Sequence, residues 1–373
     1  MPETHSFGID PITCHAWNKD RTKLAMSPNN SEVQIYSHQG GRWSLSQTME
    51  EHQQRVTGID WAPNSNRIVT CGADRNAYVW VQQPDGKWTP TLVILRINRA
   101  ATCVKWSPQE NKFAVGSGAR LISVCYFEKE NDWWVSKHVK KPIRSTITCL
   151  DWHPNNILLA CGSTDFKARV FSGYIKEEEP KPDATSWGKK MTFGNPMAEF
   201  SNGGGGWVHS VSFSASGEKL AWVGHDSSIS VAIASPDGNH RIATVKTEFL
   251  PFLTTVWVTE NNLVAAGHDC VPMMFSHDDR GSLTFMAKLE DTNKGQTAQK
   301  FSALKHFRAL DSRATSAEDN NTLGSLHQNS INQVSIHTGT KASCTKLTSA
   351  GVDGQLIIWD LKSLESSIAG LRI

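Results

Sequence analysis

The fold is decided by the stretch Arg67-Ile68-Val69-Thr70-Cys71-Gly72-Ala73-Asp74-Arg75-Asn76-Ala77-Tyr78-Val79-Trp80. Two short runs rich in β-branched and aromatic residues lie on either side of a polar turn, which is the pattern of a β-hairpin. An earlier apolar run ends at Trp61 and is followed by Ala62-Pro63. The region therefore predicts consecutive antiparallel strands joined by tight turns, with no helix between them.

The same unit recurs along the chain about every 44 residues. Short apolar strands end on an aromatic ring at Trp17, Trp61, Trp106, Trp152, Phe213 and Trp257. A later strand of the unit ends on a second ring at Tyr36, Trp80, Tyr126, Phe171 and Phe275. A seventh, weaker copy runs from Ile331 to Trp359-Asp360. This period predicts an all-β fold, a seven-bladed WD-repeat β-propeller that forms one domain over residues 1–373.

In such repeats a turn Asp, a loop His and a strand-end Trp typically form a hydrogen-bonded network that holds the blades together. Two copies contain all three residue types, and three more are represented by the turn aspartate. The residues are His52, Asp74 and Trp80; His327, Asp353 and Trp359; and Asp165, Asp226 and Asp269. We therefore predict that these side chains are structural.

A ring of blades must close, because an open ring leaves an exposed sheet edge. We expect the segment around Ser6 to Ile9 to supply the outer strand of the last blade. After the last blade, Leu361, Leu364, Ile368 and Leu371 recur at helical spacing. They predict a short helix docked beyond that blade.

The repeat is interrupted twice. The first interruption, residues 173–206, contains proline, charge and four consecutive glycines, and it predicts an extended surface loop. The second is an inserted loop over residues 276–328 between blades 6 and 7, with a predicted helix at about 297–315. That helix bears Phe301, Leu304, Phe307 and Leu310, with Lys300, Lys305, Arg308 and Arg313 around them. It has two possible uses: packing on the side of the propeller, or inserting into a groove of a partner.

Composition excludes several classes of protein. Net charge is +2, from 38 basic and 36 acidic side chains, so nucleic acid is not the expected partner. No apolar run approaches the roughly 20 residues that span a bilayer. The segment Met1 to Asp10 does not resemble a secretory signal. The eight cysteines are scattered and form no Cys-x-x-Cys pair, so we expect them to be buried structural thiols.

No catalytic motif is present. His225-Asp226 and His268-Asp269 occupy the turn position of the repeat, and Gly116-Ser117-Gly118 lacks the third glycine and the helix that phosphate binding requires. An enzyme on this fold would need convergent polar residues around the central channel, whereas the repeats show only turn aspartates. We therefore expect no enzymatic activity, no cofactor and no metal site.

One basic run is prominent: Lys137, His138, Lys140, Lys141 and Arg144, close behind Trp133-Trp134. It is either an ordinary solvated loop or a contact for an acidic protein or peptide, since Lys and Arg near aromatic rings suit such a surface.

Several stretches closely resemble one family. They are Ile12-Thr13-Cys14-His15-Ala16-Trp17-Asn18-Lys19-Asp20-Arg21, Arg67 to Trp80, Pro90-Thr91-Leu92-Val93-Ile94-Leu95-Arg96-Ile97-Asn98-Arg99-Ala100, Glu130-Asn131-Asp132-Trp133-Trp134 and Lys140-Lys141-Pro142-Ile143-Arg144-Ser145-Thr146. The chain is similar in these stretches to subunit 1, the p40-type subunit, of the actin-related protein 2/3 complex. The resemblance runs from about Pro11 to the carboxyl terminus.

This resemblance implies a non-catalytic subunit that packs against the other subunits of a complex nucleating branched actin filaments. It implies that the insertion helix contacts the mother filament through Phe301, Leu304, Lys305, Phe307, Arg308 and Leu310. It also implies contact with nucleation-promoting factors, whose acidic tails suit a basic surface; the assignment of Lys137, Lys140, Lys141 and Arg144 to that contact is a hypothesis. The implied location is the cytoplasm, the actin cytoskeleton and cell projections, with the nucleus left open. The alternative is a WD-repeat adaptor of another assembly, such as a ubiquitin-ligase substrate receptor.

Overall fold

The computed structural model of the chain describes residues 2–9, 11–202, 205–278, 280–290 and 323–365. Its strands form seven four-stranded antiparallel sheets, which confirms the predicted seven-bladed, all-β propeller. Among the described residues, no helix is both long and apolar enough to cross a membrane.

Blades 1 to 4 are built from strands β2 to β17 in chain order, the innermost strand first. In blade 1 they are β2 Cys14–Trp17, β3 Lys23–Ser27, β4 Val33–Gln39 and β5 Arg42–Met49; in blade 2, β6 Val56–Ala62, β7 Arg67–Gly72, β8 Ala77–Gln82 and β9 Trp88–Val93; in blade 3, β10 Ala101–Trp106, β11 Lys112–Ser117, β12 Leu121–Glu128 and β13 Trp133–Val139; in blade 4, β14 Ile147–Trp152, β15 Leu158–Ser163, β16 Lys167–Ser172 and β17 Pro196–Ser201.

Blades 5 to 7 continue the series, and the amino-terminal strand β1 completes the last blade. In blade 5 the strands are β18 Val208–Phe213, β19 Lys219–Gly224, β20 Ser228–Ile233 and β21 Arg241–Lys246; in blade 6, β22 Phe252–Trp257, β23 Asn262–Gly267, β24 Met273–His277 and β25 Leu283–Lys288; in blade 7, β26 Ile331–Thr340, β27 Ser343–Gly351, β28 Gln355–Asp360 and the outer strand β1 Glu3–Ser6.

The core lies between the blades. Seven apolar clusters fill the seven interfaces between neighbouring sheets. At the interface of blades 2 and 3, for example, the Trp106 ring packs 5.1 Å from Phe113 and 5.9 Å from Trp134. Because both faces of each sheet contact a neighbour, the second strand of a blade is apolar without alternation, and every residue of β11 and β15 is buried.

The amino terminus closes the ring. Strand β1 pairs with β28, with Glu3 opposite Ile358 and Ser6 opposite Gln355. The expected closure is therefore present, but its strand lies at Glu3–Ser6 rather than Ser6–Ile9. The chain turns away at Gly8, whose φ is 69°, and Phe7 packs 4.7 Å from the Tyr36 ring of blade 1.

The carboxyl-terminal segment begins as predicted but only its first turn is described. Leu361 is fully buried against the cluster of blades 6 and 7, and a 3₁₀ turn follows at Lys362–Leu364. Ile368 and Leu371, the other half of the predicted helix, lie outside the described residues.

The stretch predicted as an extended surface loop, 173–206, is exposed at many of its described positions but is not a loop throughout, which corrects the expectation in part. The segment contains β17, the fourth strand of blade 4, and it buries Trp187 and Met191 in the cluster of blades 4 and 5. The Trp187 indole Nε1 donates to the Gly217 carbonyl at 2.7 Å. Proline and charge made the whole stretch look exposed, although the side chains of Trp187 and Met191 within it are buried.

The second interruption is also shorter than residues 276–328. Strand β25 is the fourth strand of blade 6, so the insertion is confined to the connection between Lys288 and Ile331. The predicted helix at 297–315 lies outside the described residues.

Candidate partner-binding surface

Two complete His–Asp–Trp networks are assembled inside blades 2 and 7. His52 Nδ1 lies 2.9 Å from the Asp74 carboxylate, and its Nε2 lies 2.8 Å from Thr70 Oγ1. The Trp80 indole donates to the same hydroxyl at 3.0 Å. Burial lowers the pKa of His52 although Asp74 opposes that shift. The neutral ring therefore donates to the carboxylate and accepts from the hydroxyl, so the chain of hydrogen bonds is complete.

The second network repeats this geometry. His327 lies 3.0 Å from Asp353 and 2.7 Å from Ser349 Oγ, to which the Trp359 indole donates at 2.8 Å. The hydroxyl that joins each histidine to its tryptophan was not foreseen. It sits on the second strand of its blade, opposite the tryptophan-bearing third strand.

The other three turn aspartates bind groups other than a histidine–tryptophan network. Asp165 binds the Arg169 guanidinium at 2.9 Å, Asp226 accepts from the Asn202 amide at 3.0 Å, and Asp269 accepts from the Leu250 backbone at 2.7 Å. Each holds a turn or a loop in place. Among the described residues, no group of three or more His, Cys, Asp or Glu side chains could hold a metal ion.

The eight cysteines are all free thiols. Burial raises the pKa of Cys149 to about 12 and that of Cys125 to about 12. Thiols with such pKa values are protonated at neutral pH and are poor nucleophiles.

Polar side chains do converge on the central channel, which the sequence interpretation missed. Asp60 and Asp151 each precede a strand-end tryptophan, and they accept from the backbone of the next blade at 2.7 Å, at Trp106 and Phe213 respectively. The signal in the sequence was the repeated Asp-Trp pair at the end of an inner strand.

These channel carboxylates are neutralised by lysines. Lys105 lies 3.1 Å from Asp60, and Lys341, at the tip of the β26–β27 hairpin, reaches across the channel to Asp151. The Asp60 charge raises the pKa of Lys105, so the ammonium group stays protonated. The channel encloses a cavity of about 560 Å³. The carboxylates and lysines that line it connect blades to one another.

Three of the predicted basic residues, Lys140, Lys141 and Arg144, lie on what we call the upper face. This face carries the β-turns between second and third strands and the connections between blades. Lys140, Lys141 and Arg144 line a cavity of about 800 Å³ together with Arg96 and Arg120. We call this cavity the basic pocket; its lining residues include five cations and no carboxylate. Ile143 is buried beneath it, and its backbone N–H donates to the Lys140 carbonyl at 3.0 Å, which fixes the loop.

Arg96 and Arg120 were not foreseen as members of this site. Arg96 follows β9, and Arg120 lies in the turn between β11 and β12, so both are distant in sequence from Lys140. Both have left-handed backbones, with φ of 52° and 60°. Only the stacking of blades 2 and 3 brings the five cations together.

Lys137 is not part of the basic pocket. It lies within β13, where its ammonium group binds Glu177 at 2.8 Å and lies 5.4 Å from the centre of the Tyr126 ring. The structure thus separates Lys137 from the three other basic residues with which it was grouped.

The predicted filament-contacting residues, Phe301, Leu304, Lys305, Phe307, Arg308 and Leu310, lie outside the described residues. The two ends of their connection are described and are tied together. The Glu290 carboxylate accepts from the Leu326 backbone, and the Gln328 amide oxygen accepts from the Leu323 backbone at 2.7 Å. The Gln328 backbone in turn donates to Asp353, which joins this end to the histidine network of blade 7.

Comparison with known proteins agrees with the propeller architecture and shows to which family of propellers the chain is similar. Residues 43–81 and 136–172 match the family described as WD domain, G-beta repeat. Each match begins in the outer strand of one blade and ends in the third strand of the next, so the sequence repeat is offset from the sheet by one strand.

Full-length relatives are found in animals, fungi and plants. The chain is 65% identical over 370 residues to actin-related protein 2/3 complex subunit 1A-B of Xenopus laevis, and the match covers 99% of each chain. It is 45% identical to subunit 1 of Schizosaccharomyces pombe, over 93% of this chain and 96% of that protein. It is 40% identical to subunit 1A of Arabidopsis thaliana, over 98% of both. The chain therefore belongs to the family of subunit 1 of the actin-related protein 2/3 complex.

Proposed function

We propose that this chain is the propeller subunit of an actin-related protein 2/3 complex. In that role it supports the nucleation of branched actin filaments from the side of a mother filament, in response to nucleation-promoting factors. The observation that carries the proposal is the identity of 65% over nearly the whole length of both chains to a protein named as subunit 1 of that complex. The corresponding location is the cytoplasmic actin cytoskeleton, including cell projections.

The chain acts in this complex without catalysis of its own. The polar side chains that converge in the described part of the molecule are engaged in holding blades and turns together, as with Asp60, Asp151 and the two histidine networks. Actin-related subunits would bind and hydrolyse nucleotide, and the propeller would position them.

The insertion between blades 6 and 7 is the proposed contact with the mother filament. Its sequence alternates large apolar residues, Phe301, Leu304, Phe307 and Leu310, with Lys305 and Arg308, which suits insertion into a partly apolar groove. Glu290 and Gln328 fix the two ends of the insertion on the upper face. The insertion therefore leaves and rejoins the propeller at the same place.

The basic pocket is the proposed contact for an acidic segment of a nucleation-promoting factor. Its lining combines Lys140, Lys141 and Arg144 with Arg96 and Arg120, and it has no carboxylate to compete with an acidic ligand. Clustered charges of one sign raise the rate of association with an oppositely charged segment and lose this effect in salt. Because Lys137 is paired with Glu177, it belongs outside this contact.

The test compares two charge reversals in complex reconstituted with this chain. Lys140→Glu combined with Arg144→Glu should weaken binding of an acidic activator segment, measured by fluorescence anisotropy, and should slow activator-dependent nucleation. Lys137→Glu, on the adjacent strand, serves as the matched control and should have little effect on either quantity. Size-exclusion chromatography must first show that both variants enter the complex. Unchanged affinity in the double variant would remove the basic pocket from the activator contact.

A further inference from the structure

The basic pocket carries more positive charge than the surrounding structure neutralises. Its lining contains no carboxylate and five cationic side chains: Arg96, Arg120, Lys140, Lys141 and Arg144. Within the described part of the chain, none of these five side chains forms an ion pair. The net charge of the whole protein is only +2, so this concentration of charge is local. The low-dielectric walls of a cavity focus such a field and attract anions to it.

Contacts at the edge of the pocket restrain the cations without neutralising them. The Arg96 guanidinium donates to the Ser136 carbonyl, which uses one of its five N–H donors. The Arg144 backbone N–H donates to the Asp165 carboxylate at 3.2 Å. That carboxylate is paired with the Arg169 guanidinium at 2.9 Å, so its charge is already engaged. The cations of the pocket therefore keep most of their donors for a ligand.

The density of this charge decides which anion matches the pocket. A cavity of about 800 Å³ is about 9 Å across, which is the cube root of its volume. An extended peptide advances about 3.3–3.6 Å per residue, so about three of its residues cross that width. Even a wholly acidic peptide would therefore bring fewer carboxylates into the cavity than there are cations. A phosphate monoester carries a charge of about −1.5 to −2 at neutral pH, so about three phosphates balance the five cations.

The side chains of the pocket favour phosphates on a sugar-like ring over those of a nucleotide. Three of the five cations are arginines, whose planar guanidinium groups bind two oxygens of one phosphate at once. The remaining lining consists of aliphatic side chains and Asn98, without an aromatic ring on which a nucleotide base could stack. An inositol ring with several phosphates needs no such platform, because its phosphates supply the contacts.

We propose that the basic pocket binds an inositol polyphosphate with about three phosphate groups, either free or as the headgroup of a lipid. Arg96, Arg120 and Arg144 bind the phosphates, and the two lysines supply the rest of the charge. This site does not depend on the proposed activator contact, but it adds regulation to it. A phosphate ligand and an acidic activator segment would compete for the same cations, so the ligand would lower the affinity for the activator.

The experiment titrates inositol trisphosphate into complex reconstituted with this chain, followed by calorimetry. Arg120→Asn should weaken binding about tenfold, the effect of one lost charge-assisted contact. The matched control is Arg75→Asn, at the equivalent turn position of blade 2, which should leave the affinity unchanged. Both positions have left-handed backbones, with φ of 60° and 71°, and asparagine tolerates that conformation, so neither substitution should disturb the fold. A peptide of five aspartates should bind at least about tenfold more weakly than the trisphosphate, because fewer of its charges enter the cavity.

A second arm identifies the source of the phosphates. Vesicles of phosphatidylcholine are compared with and without phosphatidylinositol bisphosphate in a co-sedimentation assay. Sedimentation that requires the bisphosphate lipid, and that is lost in the Lys140→Glu, Arg144→Glu variant, assigns the site to a lipid headgroup. Binding of the trisphosphate without sedimentation assigns it to a soluble ligand.

The outcomes separate this inference from the proposed activator contact. Trisphosphate affinity that is the same in wild type, Arg120→Asn and the Lys140→Glu, Arg144→Glu variant would overturn the phosphate site. Equal affinities for the trisphosphate and the aspartate peptide would also overturn it, since they would show that the density of charge selects nothing. If the trisphosphate binds at the pocket but does not displace the acidic activator segment, the phosphate site stands and the activator contact lies elsewhere.

Discussion

At the residue scale, a buried ion pair joins blade 3 to the segment between the third and fourth strands of blade 4. Lys112 is fully buried, and its ammonium group binds both oxygens of Glu179 and the Gly173 carbonyl. Glu179 also accepts from the Asn156 amide and the Ile175 backbone. The pair accounts for the order of a stretch that looks like an exposed loop in the sequence.

Removing one partner of this pair should strongly destabilise the fold. Glu179→Leu leaves the Lys112 ammonium buried without a counter-charge, a change that costs about 3–5 kcal/mol. Denaturant unfolding of the chain measures the loss. Glu177→Ala is the control, because its pair with Lys137 is exposed and contributes less than about 1 kcal/mol. Comparable small losses in both variants would show that Glu179 is not held as described.

A buried histidine predicts how stability depends on pH. His15 lies between blades 1 and 7, with Nε2 2.7 Å from Ser335 Oγ, and burial lowers its pKa to about 3. Below about pH 6.5 the unfolded chain binds a proton that the folded chain does not. Stability should therefore fall as pH drops from 6.5 towards 3, by up to about 1.4 kcal/mol for each pH unit from this residue.

The substitution His15→Gln isolates that contribution. It keeps a polar side chain at the site but cannot be protonated, so the free energy of unfolding should vary less between pH 6.5 and pH 4 than in the wild type. Urea titrations at several pH values provide the comparison. An unchanged slope would mean that other histidines, such as the partly buried His209 with a pKa lowered to about 4, dominate the acid response.

At the element scale, closure of the ring depends on one short strand. Residues Glu3–Ser6 cover the edge of β28, and Phe7 and Ile9 pack into the cluster of blades 7 and 1. Deleting residues 2–9 should lower the melting temperature markedly and promote aggregation, because it exposes a strand edge and apolar side chains. Thermal unfolding and light scattering test this.

The matched control for the deletion is Glu3→Ala. It removes only an exposed ion pair with Lys346 and keeps the strand, so it should cost less than about 1 kcal/mol. If the deletion is no more harmful than Glu3→Ala, ring closure by β1 contributes little to stability.

The elements also show what could be read from the sequence. The repeated strand-end rings, from Trp17 to Trp257, predicted the blades because each ring belongs to a local strand with its own turn. The outer strands β17 and β25 were missed because each is short and lies inside or beside a stretch rich in polar residues. The local sequence pattern was sufficient to predict a strand wherever that strand was buried on both faces.

At the scale of the whole molecule, the partner surface depends on contacts that no local pattern encodes. Arg96 and Arg120 join Lys140 only because blades 2 and 3 stack, whereas Lys137 lies within β13 and pairs with Glu177. The cross-channel contact of Lys341 with Asp151 likewise joins blade 7 to blade 4. The function was therefore inferred from the family resemblance, whereas the fold was inferred from the sequence repeat.

The upper face unites the proposed contacts. It carries the basic pocket and both ends of the insertion, at Glu290 and Leu323. An activator segment and a mother filament would thus approach the propeller from the same side.

The most direct test of the central proposal is pyrene-actin polymerisation, with branch counting by fluorescence microscopy, using complex reconstituted with this chain. Wild-type chain should enter the complex and support activator-dependent branching. Phe301→Ala, Leu304→Ala and Phe307→Ala combined should assemble equally well by size exclusion but nucleate more slowly and form fewer branches. Unchanged branching in the triple variant would contradict the filament contact, and a wild-type chain that never enters the complex would contradict the proposed function as a whole.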